Sequence, residues 1–252
     1  MAVKFTYFGG MAVLIERSDG YRILVDPFIS ANPLAKIDVK SLYNVDLLLV
    51  SHAAFDHVGD TFEILQNGHA QFFAGWELCQ RALNVHGIAK DRVFATIYGD
   101  ERDFGPVKVH TVFAQHISIE GSGAHPVTGY PLGFVVDVEP GVTYYHTGDT
   151  SLFSDMRLIG EMYRPKVMIV GISKIDDQYP CEMRPREAAQ AVHFVSPDIV
   201  IPSHYAPGSS DPELFAQYMR MNNPGIRVMG ECNRTFCYAP SVASYIDENG
   251  AN

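Results

Sequence analysis

Val45-Asp46-Leu47-Leu48-Leu49-Val50-Ser51-His52-Ala53-Ala54-Phe55-Asp56-His57-Val58-Gly59-Asp60 is the stretch that decides the architecture. Val45 to Val50 is a nearly continuous apolar run, the pattern of a strand covered on both faces. It leads directly into His52, Asp56 and His57, three potential metal ligands within six residues. Imidazole nitrogen and carboxylate oxygen are donors that borderline divalent ions prefer. Adjacent Asp56 and His57 would point apart on a strand, so a loop is expected here, with Gly59 allowing a sharp turn behind it.

Upstream, Val3 to Tyr7, Ala12 to Glu16 and Arg22 to Val25 read as strands separated by glycine-containing turns. Downstream, strands alternate with helices. Phe62 to Gln66, Glu77 to Leu83 and Leu152 to Tyr163 have helical spacing, as do Arg186 to Val195 behind Pro185 and the segment from Asp211-Pro212 to Met221. Val107 to Ala114, Leu132 to Val138, Val142 to His146, Val167 to Gly171 and Ile199 to Pro202 read as strands. No linker, low-complexity block or short-period repeat divides the chain, so one domain over residues 1–252 is expected. The alternation suggests two sheets packed together with helices outside, an α/β layered fold.

Composition narrows the function. The 252 residues are 47% hydrophobic and 19% charged, which argues against disorder. A net charge of −10 and the lack of a lysine- or arginine-rich run speak against a nucleic-acid partner and favour a small-molecule substrate. No apolar run is long enough for a membrane span, and no charged stretch followed by an apolar core opens the sequence. The four cysteines, Cys79, Cys181, Cys232 and Cys237, form no CxxC pair and read as free thiols. A cytoplasmic location is therefore expected. There is no Walker-type loop, dinucleotide glycine fingerprint or Gly-x-Ser-x-Gly elbow, so nucleotide cofactors and a serine nucleophile are not expected.

Three further candidates lie near strand ends: His116, Asp149 within Thr147-Gly148-Asp149-Thr150, and His204 after Ile199 to Ser203. Functional groups gathered at the ends of several strands are a common way to build a site on an α/β scaffold. His69, His86, His110 and His193 have no such context and read as structural or surface residues. His125 and His146 are ambiguous, His146 lying beside Asp149 yet able to face the core.

With Asp149 and the lone histidines in place, His-x-Ala-x-Asp-His followed by Gly-Asp resembles the HxHxDH signature of the metallo-β-lactamase superfamily. Within it, the chain is similar to bacterial metal-dependent hydrolases related to L-ascorbate-6-phosphate lactonases. The features that match are Tyr7-Phe8-Gly9, Ile23 to Phe28, Tyr145 to Thr150, Met183 ahead of Ala188-Ala189, and Ile201 to Tyr205. The resemblance covers nearly the whole chain and implies a four-layer αββα sandwich. It implies one or two divalent ions, zinc first, with manganese or iron as alternatives. His52 and His116 would serve one ion and Asp56, His57 and His204 the other, with Asp149 as the bridge. It also implies a hydrolase that activates a water, with Asp56 orienting that water or taking its proton. Thr147, Thr150, Ser203 or Tyr205 would support the ligands or contact substrate, Tyr205 either as a donor to an oxyanion or as packing beside a ligand. Asp26 would either support a ligand or cap the turn before Pro27. Relatives of this kind are often oligomeric, which allows a homo-oligomer.

Two departures qualify the resemblance. Ala54 stands where the signature has its second histidine, and a methyl group cannot coordinate. Either one site fills, or both fill with one held weakly, or a residue from elsewhere replaces the imidazole. The second departure is Ile172 to Pro185, where relatives have a short glycine-rich loop. The solvated-loop reading stands beside one in which Asp176, Asp177, Cys181 or Glu182 approaches the site. A small ester or lactone, phosphorylated or not, is the first substrate reading and a phosphodiester the second. A metal-binding module without catalysis is the alternative from another class.

Overall fold

The computed structural model describes residues 2–120, 127–175 and 182–240. In chain order the strands are β1 (Val3–Gly9), β2 (Ala12–Glu16), β3 (Arg22–Val25), β4 (Leu47–Val50), β5 (Gln71–Gly75), β6 (Val93–Thr96), β7 (Glu101–Asp103) and β8 (Lys108–Phe113). They continue as β9 (Ser118–Glu120), β10 (Val127–Gly129), β11 (Leu132–Glu139), β12 (Val142–His146), β13 (Val167–Gly171), β14 (Ile199–Ser203), β15 (Arg227–Val228) and β16 (Arg234–Tyr238). The helices are α1 (Phe55–Val58), α2 (Thr61–Asn67), α3 (Trp76–Asn84), α4 (Met156–Tyr163), α5 (Pro185–Val195) and α6 (Asp211–Asn222).

Two seven-stranded sheets form, ordered β16-β1-β2-β3-β4-β5-β6 and β15-β14-β13-β12-β11-β8-β7. Each mixes an antiparallel part with a parallel block, β3 to β6 in the first and β12 to β15 in the second. The parallel strands β4 and β13 are buried at every residue, as expected for strands covered on both faces. Three apolar clusters explain the layering. Phe5, Val13, Leu49, Phe134, Tyr144 and Ile169 pack between the sheets. Leu48, Phe62, Leu65, Phe72 and Leu78 pack the first sheet against α2 and α3. Met168, Val170, Ala188, Val192 and Phe215 pack the second sheet against α5 and α6. The result is the expected αββα sandwich.

Local chemistry accounts for the element ends. Pro185 opens α5, and the Glu187 carboxylate accepts the Arg184 backbone N–H at 2.8 Å. Pro202 is tolerated in β14 because β15 pairs only with Ile199 and Val200, leaving that flank without a ladder bond to lose. Most expected boundaries shift by a residue or two, and two expectations change more. The helix expected from Leu152 begins at Met156, because Ser151 N–H is still bonded to the Gln115 carbonyl at 3.1 Å. The loop expected around Asp56 and His57 is instead the single helical turn α1, in which the Ala54 carbonyl accepts from His57 N–H and Val58 N–H. A helical turn separates successive side chains by about 100° rather than the near-reversal of a strand, so both residues can reach one cleft.

Cys79 is buried and Cys232 and Cys237 half-buried, all three as free thiols. Cys181 lies outside the described residues. No helix among the described residues is long and apolar enough to cross a membrane.

Candidate metal centre

The site forms where both sheets end. β4 runs into Ser51 and His52, α1 carries Asp56 and His57, and β8 leads to His116. Asp149 follows β12 and His204 follows β14. Two tight backbone passages set these positions. Gly59 has φ 40°, and a Cβ there would lie 2.3 Å from the Pro27 carbonyl oxygen, so only glycine lets α1 close onto the segment after β3. Gly148 has φ 59°, and a Cβ would lie 2.5 Å from the Leu132 carbonyl oxygen, which fixes the turn presenting Asp149. Asp26 and His204 hold φ of 47° and 55°, left-handed conformations uncommon in non-glycine residues, shared here by Arg164, Ser196 and Asn233 away from the cluster.

All six sequence-predicted ligands come together. Asp56, His57, Asp149 and His204 form one group and His52, His116 and Asp149 another, with donor atoms in each lying within 4.8 Å of one another. Asp149 Oδ2 stands 3.1 Å from Nε2 of both His57 and His204, and 4.0 Å from Nε2 of both His52 and His116. Asp56 Oδ2 is 3.2 Å from His204 Nε2 and 3.5 Å from His57 Nε2.

The nitrogens facing away explain why Nε2 points inward. Asp26 Oδ2 accepts from His57 Nδ1–H, His146 Nε2–H and the Ser51 hydroxyl, each at 2.8 Å, while Oδ1 accepts from Ser51 N–H at 2.7 Å. A carboxylate only accepts, so His57 keeps a proton on Nδ1, and Nε2, facing the cluster, is the nitrogen whose proton a bound cation would displace. His52 Nδ1 lies 3.1 Å from Ser51 Oγ, and His204 Nδ1 donates to the Ser173 carbonyl at 3.1 Å. Asp26 is thus a brace beneath the ligands rather than only a turn cap. The ambiguous His146 is part of that brace, fully buried, with the Tyr144 hydroxyl donating to its Nδ1 at 2.9 Å.

The electrostatics favour a cation. Burial alone would push the His57 and His204 imidazoles down, but Asp149, with Asp26 and Asp56 around His57 and Asp56 and Glu182 around His204, holds both well above the ordinary range. Burial raises Asp149 and Asp56, yet the facing His204 and His57 hold both carboxyls below the usual value. Burial and the neighbouring His57 push His52 down to about 3, leaving it neutral with a free lone pair.

The residues fit a divalent ion. His52 Nε2, His57 Nε2 and Asp149 Oδ1 are buried without a hydrogen-bond partner of good geometry, an arrangement that costs free energy unless something else satisfies them. Donors about 2.0–2.1 Å from a tetrahedral ion stand roughly 3.3 Å apart. The His57, His204, Asp56 and Asp149 separations of 3.1–3.5 Å match that spacing, whereas the 4.0 Å separations around His52 and His116 are looser.

Other sequence expectations resolve as follows. Of the two readings of Tyr205, the structure matches packing rather than an oxyanion donor. Tyr205 does not line the cavity beside the cluster, and its hydroxyl donates to the Gly230 carbonyl at 3.4 Å while its ring packs with the outer core of the second sheet. Thr147, Thr150 and Ser203 spend their hydroxyls on the Gly148 carbonyl, the Ser151 carbonyl and the Met11 sulfur. Of the acidic candidates in the 172–185 segment, Glu182 does approach: its side chain is 3% exposed, and Oε2 lies 3.2 Å from His204 Nδ1. Asp176, Asp177 and Cys181 lie outside the described residues, as does His125. Among the described residues nothing replaces the imidazole missing at position 54. His69, His86, His110 and His193 sit elsewhere, against Asp46, Phe62, Asp137 and Asn223.

Sequence reasoning missed Ser51 and the buried pair beside it. Ala53 N–H donates to Ser118 Oγ at 3.0 Å, and that hydroxyl donates to Glu77 Oε1 at 2.6 Å, tying the ligand-bearing turn to β9 and α3. Ser51 was available as the residue between strand and His52, but nothing in one sequence pairs it with Asp26.

A His/Asp cluster at the ends of strands from two facing sheets defines a metal-binding protein of β-lactamase-superfamily type, and residues 21–205 match the Beta-lactamase superfamily domain. The chain belongs to the UPF0173 metal-dependent hydrolases. It is 36% identical over 223 residues to one from Thermococcus kodakarensis, covering 84% of this chain and 90% of that one. Among solved structures, it resembles Igni18, a metallo hydrolase from Ignicoccus hospitalis, with TM-score 0.80 and 29% identity over 95% of this chain and 99% of that one. The metallo-β-lactamase fold protein YhfI from Bacillus subtilis shares the fold alone, with TM-score 0.69 and 16% identity over 94% of this chain and 100% of that one.

Proposed function

We propose that the chain hydrolyses a small ester or lactone by activating a water at the Asp56, His57, Asp149 and His204 cluster, with a phosphodiester as the second substrate reading. The observation that carries this is the convergence of unpartnered buried donors on a cavity of about 200 Å³ lined by His52, Asp56, His116, Asp149 and His204 themselves. A divalent ion held there, zinc, manganese or iron, supplies Lewis acidity and brings the pKa of its water from about 15.7 towards about 7. Asp56 lies on the cavity wall, placed to orient the attacking water and take its proton. Asp26 and Ser51 keep the histidine tautomers that leave Nε2 free. The acidic chain and the cavity's size support a small-molecule substrate over a nucleic acid.

The test is stripped protein reloaded separately with zinc, manganese and iron(II), assayed on esters, lactones and phosphodiesters. At least one ester or lactone is expected to turn over. Asp56→Asn should lower kcat by about a hundredfold or more with thermal unfolding little changed. One observation favours a second reading, a metal-binding module that has lost catalysis: Ala54 leaves one half of the cluster short of an imidazole. Bound metal with no turnover on any panel would select it.

A further inference from the structure

The cavity beside the cluster has a mixed lining: the His/Asp cluster and Glu182, together with the apolar Ala53, Ala54, Phe55, Ile117, Ile119 and Ile175. Among the described residues its charged lining groups besides histidine are the carboxylates Asp56, Asp149 and Glu182, and no lysine or arginine lines it.

We propose that this cavity takes an uncharged ligand with a hydrocarbon group, a neutral lactone or ester whose apolar part lies against Ala54, rather than a phosphorylated or otherwise anionic one. As a statement about substrate, it rests on the hydrolase reading above. Two arguments support it. First, the described lining carries three carboxylates and no lysine or arginine, so apart from a bound ion no side chain on the wall would clamp an anionic ligand. A phosphate site is ordinarily built from arginine, lysine or backbone N–H donors, and the cavity's described lining supplies neither of those side chains. Second, the alanine opens room: a side chain longer than a methyl at position 54 would enter the cavity, whose volume of about 200 Å³ exceeds the roughly 150 Å³ of an apolar cavity known to bind benzene. Ile117 and Ile119 are 60% and 45% exposed in this lining, an apolar surface that a hydrocarbon group would cover.

The experiment measures binding of γ-butyrolactone, γ-hexalactone and γ-nonalactone to zinc-loaded Asp56→Asn protein by ligand-observed NMR, with turnover measured on the zinc-loaded native chain. Bis-p-nitrophenyl phosphate and a phosphorylated lactone of matched size serve as anionic probes, compared with the neutral lactones on the zinc-loaded native chain, which keeps all three lining carboxylates. Affinity should rise about fourfold per added methylene, equivalent to about 0.8 kcal/mol, until the apolar lining is covered. That gain should disappear in Asp56→Asn protein that also carries Ala54→Leu, in which γ-butyrolactone still binds. A flat chain-length response, or tighter binding of the anionic probes than of neutral lactones of equal size, overturns the proposal. If phosphate esters turn over and neutral ones do not, the ligand class is wrong and the hydrolase reading stands. If nothing turns over while the chain-length response holds, the hydrolase reading fails and the ligand class stands.

Discussion

The two halves of the cluster share Asp149 but differ in how they are held. His57 and His204 stand 3.1 Å from Asp149 Oδ2, while His52 and His116 stand 4.0 Å away. Asp26 braces His57 from behind, and the Ser173 carbonyl braces His204, with Glu182 Oε2 3.2 Å from the same nitrogen. His52 has only a serine hydroxyl at its back, and His116, with a side chain 17% exposed, has no hydrogen bond among the described residues. The half that keeps its full donor set is also the half whose ligands are orientated by buried acceptors. The half with Ala54 is looser, and residues of both halves line the cavity.

Removing Asp149 should erase that difference, since both halves depend on it. Asp149→Ala is expected to weaken metal binding about a hundred- to thousandfold, because structural metal sites distribute some 10–16 kcal/mol over about four ligands. Chelator competition on the folded variant measures it, and retention of the tight ion would break the comparison. Asp26→Asn comes next. It leaves every ligand in place but loosens the His57 tautomer, and should cost about ten- to a hundredfold in affinity at the tight half while the loose half changes little. The buried His146 and Ser51 bonds to Asp26 are disturbed too, so thermal unfolding is read alongside. Glu182→Gln should have the smallest effect, less than about tenfold on the tight half, because the Ser173 carbonyl still holds His204 Nδ1. An effect on the loose half instead would show that Glu182 faces the wrong ligand set.

The sequence made the cluster legible because its ligands share one chemistry and sit behind apolar runs that could only be strands. β2, β3, β12 and β13 were readable to the residue, since their apolar runs are bounded by glycine, proline or charge. β5 and β16 were not: Phe72-Phe73-Ala74 is too short a run to separate strand from helix, and Arg234 to Tyr238 becomes a strand only through its antiparallel register with β1. The braces were hidden for the same reason. Asp26 reaches His146 across 120 residues and Ser118 reaches Ala53 across 65, contacts that the pairing of sheets creates and no local pattern announces. The helical turn at Asp56 and His57 was hidden differently: four residues hold too little periodicity to distinguish a turn of helix from a loop.

The asymmetry of the cluster is tested most directly by metal titration of the native chain with chelator competition, repeated on His204→Ala and His116→Ala. Two steps are expected, one ion tight and a second at least tenfold weaker, with His204→Ala abolishing the tight step and His116→Ala only the weak one. Two ions of equal affinity, or a tight step that survives His204→Ala and disappears in His116→Ala, would contradict the account.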